Sequence, residues 1–127
     1  MISIAKNLMT LSLLATVFLS TAIGTSTNSK EIFKGYLVDV SCSRDRSTEL
    51  LKLGRTHTRK CLLMPDCQRS GFGIVTESGN FIPFDKEGNA STRALIVKLK
   101  DDTPLKIAVW GKLENGVIAV FRIRLIK

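Results

Sequence analysis

Residues 103–127 read TPLKIAVWGKLENGVIAVFRIRLIK, and no other stretch of the chain states its structure as plainly. Two long runs rich in β-branched and aromatic residues flank Glu114-Asn115-Gly116. Asn-Gly is the strongest short hairpin signal, because both central turn positions need a positive φ that Asn and Gly tolerate. The C-terminal quarter therefore predicts two antiparallel strands joined by a tight turn.

Working upstream, DKEGNASTRALIVKLK (85–100) has a turn signal at Gly88-Asn89 and predicts a helix over about Ser91 to Lys98. GFGIVTESGNFIPFD (71–85) holds two short β runs around Ser78-Gly79-Asn80, a second hairpin. EIFKGYLVDVSC (31–42) opens with a strand, in which Gly35 suggests a kink or bulge. Between that strand and the hairpin lies a segment of helical character. RSTELLKLG reads as a short helix capped by Ser47 or Thr48 and ended by Gly54. HTRKCLLM reads as a further turn or two stopped by Pro65.

The order is strand, helical insert, two strands, helix, two strands. A mainly β protein follows: a small five-stranded OB-like barrel with a cysteine-bearing helical insert between strands 1 and 2. An open α+β sandwich is the alternative. One domain over residues 32–127 is expected, preceded by a flexible segment at 25–31.

Strand alternation divides the last hairpin into two faces. Leu105, Ile107 and Val109 share one face; Lys106, Trp110 and Lys112 share the other. In the second strand Phe121, Ile123 and Leu125 lie together, opposite Arg122 and Arg124. Lys106, Trp110, Lys112, Arg122 and Arg124 thus form a candidate anion-binding face, with charge for an anionic backbone and a ring for stacking. The same pattern also describes a solvated outer face with Trp110 packed against lysine stems.

The N-terminus has a different character. Lys6 precedes an apolar run from Leu8 to about Ile23, followed by small residues, the three-part pattern of a secretory signal peptide ending near Gly24. Thr10, Ser12, Thr16 and Ser20 interrupt the run, which makes it a poor permanent span. A retained single-pass anchor is the competing reading. An exported product, periplasmic or extracellular, is expected, with no membrane span once the leader is removed. Loss of Lys6 takes the formal charge from +8 to +7. A basic exported domain attracts an anionic cell-envelope polymer or lipid rather than a cytoplasmic nucleic acid.

HTRKCLLMPDC (57–67) contains the single histidine and two of the three cysteines. Export makes a disulfide the default among Cys42, Cys61 and Cys67, with one thiol left over. Joining Cys42 to Cys61 or Cys67 would tie the insert to the barrel and contribute roughly 3 to 4 kcal/mol in the chain-entropy model. The alternative is a metal site. His57 and Cys61 are four residues apart and share a helical face, and Cys42 and Cys67 complete a Cys3His set for zinc or copper. Each residue also has a plainer reading. Met64 suits a core beside Leu62 and Leu63, His57 a helix start with a satisfied ring nitrogen, and Asp39 a turn that accepts local backbone amides. A nucleophilic Cys–His pair is the weakest reading, because no third orienting group is evident. No enzymatic activity is expected.

The frame GYLVDVSC, HTRKCLLMPDC, SGFGIV, FIPFDKEGNA and VWGKLENGVIAV resembles a group of small exported bacterial proteins with a GxxxDxxC start, a HxxxC element and an SG(F/Y)G strand. The matching positions are Gly35, Asp39, Cys42, His57, Cys61, Cys67, Gly71 and Gly111, and the chain departs from the pattern in having Ser43 after Cys42. The resemblance implies export and an OB-like fold and carries no activity. Together these readings predict an exported, non-enzymatic binding or structural domain held by one disulfide, its basic face meeting an anionic ligand. The alternative is a periplasmic metal-binding protein.

Overall fold

The computed structural model describes residues 29–127; the expected leader and most of the 25–31 segment lie outside the described residues. The protein is mainly β. Five strands form one antiparallel sheet in the order β3-β2-β1-β4-β5: β1 (Glu31–Asp39), β2 (Phe72–Thr76), β3 (Phe81–Pro83), β4 (Lys106–Glu114) and β5 (Val117–Leu125). Glu31, expected to precede the fold, is already paired with Gly111.

The β4–β5 hairpin turns at Asn115 and Gly116, with φ of 50° and 77°, as the Asn-Gly dipeptide demands. The central strand β1 serves two neighbours. Its first half pairs with β4 and its second half with β2, and both ladders include Gly35. A Cβ at Gly35 would lie 2.0 Å from the Val75 carbonyl oxygen, so only glycine allows this crossing.

The sheet is not closed. Its edge strands β3 and β5 meet through a single parallel bridge, Phe84 to Ile118. β3 is three residues long and ends at Pro83, which has no N–H to give a ladder, and the chain turns into a helix three residues later. Asp85 holds that seam. Its N–H donates to the Ile118 carbonyl, and its Oδ1 accepts from Gly88 N at 2.9 Å and Val120 N at 3.2 Å.

Between β1 and β2 the chain forms α1 (Val40–Asp45), α2 (Leu50–Thr56), α3 (Arg59–Leu62) and α4 (Pro65–Ser70); α5 (Lys86–Lys98) joins β3 to β4. Several boundaries differ from expectation. α5 starts five residues before Ser91, because Asp85 caps it and Gly88 and Asn89 enter the helix instead of a turn. Gly54 sits inside α2 rather than ending it, since Tyr36 packs where its side chain would be. The residue before α2 is Glu49, not Ser47 or Thr48. Pro65 opens α4 at its first position, where a missing N–H costs nothing.

The main core lies on the inner side of the sheet: Leu37, Phe72, Ile74, Ile107, Val109, Ile118 and Val120, with Leu62 from α3 and Ile96 from α5. A smaller cluster on the outer side packs Leu53 of α2 on Val38 and Val75. α2 therefore covers the β1–β2 half of the outer side. Among the described residues no helix is long and apolar enough to cross a membrane.

Candidate functional site

Two regions carry chemistry. The first is built around Asp39, the last residue of β1. It is fully buried and caps α1 by accepting the Cys42 N–H at 2.9 Å through Oδ1. Its Oδ2 lies 2.8 Å from Nε2 of buried His57, and Ser70 of α4 donates to Oδ1 at 3.5 Å. Burial alone would raise this carboxyl. The hydrogen bond from His57, the Cys42 amide and the charge of His57 outweigh it, so Asp39 titrates below its ordinary value and stays ionised. An ionised Asp39 requires the proton on His57 Nε2, which donates. Asp39 is thus a turn residue accepting a local amide, as expected. It is also the partner of His57, which sequence reasoning missed because the two are 18 positions apart.

The cysteines divide. Cys42 Sγ, Cys67 Sγ and a carboxylate oxygen of Asp39 lie within 4.8 Å of one another. Cys61 is outside that group; Thr58 Oγ1 sits 3.9 Å from its sulfur. Of the four residues expected as a Cys3His set, the fold brings Cys42 and Cys67 together, ties His57 to Asp39, and leaves Cys61 apart. Met64, expected in the core, is 55 % exposed immediately before α4. Burial and then the charge of Asp39 push the Cys42 thiol up to about 12 and raise Cys67 as well. Thiols held protonated at neutral pH are poor nucleophiles. His57 is engaged with a carboxylate, not with sulfur, so no Cys–His pair is formed.

The second region is the outer side of β4, β5 and the first half of β1, beyond the reach of α2. Cross-strand pairing makes two rows: Lys34, Ala108 and Arg124, then Ile32, Trp110 and Arg122. Arg122 lies over the Trp110 ring, 5.4 Å from its centroid. The expected face is therefore assembled, with changes. Lys106 and Lys112 are ion-paired with Glu77 at 3.7 Å and Glu114 at 2.9 Å. Among the described residues Lys34, Arg122 and Arg124 form no ion pair.

Phe121 corrects the expected alternation. A register shift opposite Trp110 and Gly111 pairs Arg122 with Trp110 and Val120 with Gly111, leaving Phe121 unpaired in a bulge. Val120 and Ile123 both reach the core, whereas Phe121 turns outward and is 57 % exposed under Lys30. A bulge breaks the two-residue period, and nothing in VIAVFRIRLIK signals it beyond the Gly111 across the pair.

No family model, curated protein or solved structure matches the chain.

Proposed function

We propose that this protein is an exported, non-enzymatic binding domain whose uncovered sheet face meets an anionic partner. One observation carries the reading: among the described residues Lys34, Arg122 and Arg124 stand on an exposed face without acidic partners, while Lys106 and Lys112 at its ends are ion-paired. Unpaired cations gathered on one surface favour an anion over self-contained ion pairing. The leader-like N-terminus and the resemblance to small exported proteins support export. An OB-like relationship is supported by β1 standing between β2 and β4, by the helix between β3 and β4, and by the Phe84–Ile118 approach of the sheet edges.

Retention on an immobilised polyanion tests the function. Arg122→Glu with Arg124→Glu is expected to elute at much lower salt than the parent. Lys106→Glu with Lys112→Glu is expected to shift elution less, since these lysines already have carboxylate neighbours. Equal shifts for the two pairs would refute the assignment of the face.

In an oxidising compartment the staple of this domain is Cys42–Cys67, the pair whose sulfurs are neighbours. A second reading draws on the same observation: two sulfurs and a carboxylate oxygen are a donor set for zinc. Thiol counting with elemental analysis separates the two. One free thiol without metal supports the staple, and three free thiols with bound zinc support the metal site.

A further inference from the structure

The uncovered face is not uniformly polar. Ile32 and Phe121 are 55 % and 57 % exposed on it, beside the unpaired cations. Both lie on the outer side of the sheet, Ile32 beside Trp110 and Phe121 in the bulge next to Arg122. Lys30, one turn of the pleat before Ile32, projects over the Phe121 ring. An exposed aromatic and an exposed β-branched residue do nothing for a soluble polyanion, whose phosphates or sulfates need only charge.

A stacking ligand fits no better. One flank of the Trp110 ring is taken by the Arg122 guanidinium, so an incoming base or sugar must compete with it for that flank. What suits apolar side chains ringed by cations, with an amphipathic indole between them, is a bilayer interface. There acyl chains receive Ile and Phe, the headgroup layer receives Trp, and phosphates receive Lys and Arg.

We infer that the face formed by Ile32, Lys34, Trp110, Phe121, Arg122 and Arg124 docks on the surface of an anionic lipid bilayer. The inference rests on the proposed anionic partner and names its class. Charge complementarity supplies the attraction: each cation brought to an anionic leaflet multiplies affinity by about fivefold. The two apolar side chains then enter the interface and fix which face meets the lipid. The Asp39 region lies at the far end of β1, and α2 covers the other half of the outer side, so neither takes part in the contact.

The test uses the full-length chain and variants that share its N-terminus, so that any contribution of residues 1–28 is common to all. Sedimentation is measured with vesicles of phosphatidylglycerol in phosphatidylcholine and with pure phosphatidylcholine, alongside retention on immobilised heparin. The signal is the excess binding to anionic vesicles. Arg122→Glu with Arg124→Glu is expected to reduce it by at least about twenty-five-fold and to weaken heparin retention. Ile32→Ser with Phe121→Ser is expected to reduce vesicle binding about tenfold while leaving heparin retention unchanged. Both pairs are exposed, and thermal melts verify that each variant folds.

Retention on heparin without excess vesicle binding overturns the lipid assignment and leaves the anion-binding function standing. Unchanged vesicle binding and unchanged heparin retention in Arg122→Glu with Arg124→Glu overturn both the lipid assignment and the anion-binding face. Vesicle binding indifferent to Ile32→Ser and Phe121→Ser reduces the contact to plain charge adsorption and equally overturns the inference.

Discussion

The sulfur-bearing side and the bare sheet face are both polar, yet they treat their polar groups in opposite ways. Around Asp39 every group has a partner inside the protein: the Cys42 amide, the His57 ring and the Ser70 hydroxyl converge on one buried carboxylate. On the β4–β5 face, Arg122 and Arg124 meet no carboxylate among the described residues. A buried charge without partners would cost several kcal/mol, so the first region has to be complete by itself. Water solvates an exposed cation at little cost, so the second region can be left open for a partner. Of the two, the region with the more suggestive residues, Cys, His and Asp together, is the better explained by structure alone.

The largest expected effect breaks that completeness. Asp39→Ala removes the α1 cap and leaves His57 Nε2 buried without an acceptor. A loss of about 3 to 5 kcal/mol is expected from urea denaturation. A loss below about 1 kcal/mol would mean that the carboxylate is not the organising group of the helical side.

Next comes the staple. With Cys42 and Cys67 joined, Cys42→Ser should lower stability by roughly 3 to 4 kcal/mol in the absence of reductant, and Cys61→Ser by far less. Adding reductant should erase the difference between parent and Cys42→Ser apart from the small packing change. If Cys61→Ser is the damaging substitution instead, the neighbouring sulfurs are not the bonded ones.

Proton linkage sharpens the comparison further. The Cys42 thiol in the unfolded chain loses its proton near 9.0, but in the folded chain only near 12. The unfolded state therefore binds fewer protons in that window, and stability falls as pH rises from about 9 to 12. A Cys42–Cys67 disulfide has no such proton, so alkaline destabilisation is expected in reductant and not without it. Asp39 acts at the other end. Its folded value lies below 3.8, so its contribution is complete above that pH and is lost as pH falls through the folded value. Asp39→Asn should flatten the acid limb of a stability–pH profile measured by chemical denaturation.

The smallest stability effect belongs to the open face. Arg122→Glu with Arg124→Glu should change unfolding free energy by less than about 1 kcal/mol, since both side chains are exposed and without ion pairs. A large loss would show that the Arg122–Trp110 contact holds the sheet rather than serving a partner.

Five strands, a mainly β chain and the Asn115-Gly116 hairpin could be read directly from residue types, because turn chemistry and β-branched runs act locally. The candidate face was legible for the same reason up to Trp110 and Arg122. It failed at Phe121, where the bulge depends on the partner strand. The helical boundaries slipped where one side chain reached a distant backbone, as when Asp85 capped α5 and bonded Val120 at once. α1 was missed altogether, since VSCSRD has no apolar period and exists as a helix through the Asp39 cap.

The amino-acid sequence by itself determined the strands, the tight turns, the excess of positive charge and the presence of one histidine with three thiols. Only the tertiary structure decided which thiols are neighbours, that His57 belongs to Asp39, that α2 covers half of the outer sheet side, and that Lys106 and Lys112 are neutralised while Arg122 and Arg124 are not. Turn and strand preferences are properties of a few consecutive residues. Pairings across 18, 25 or 35 positions depend on how distant segments pack against one another, and no run of consecutive residues encodes them.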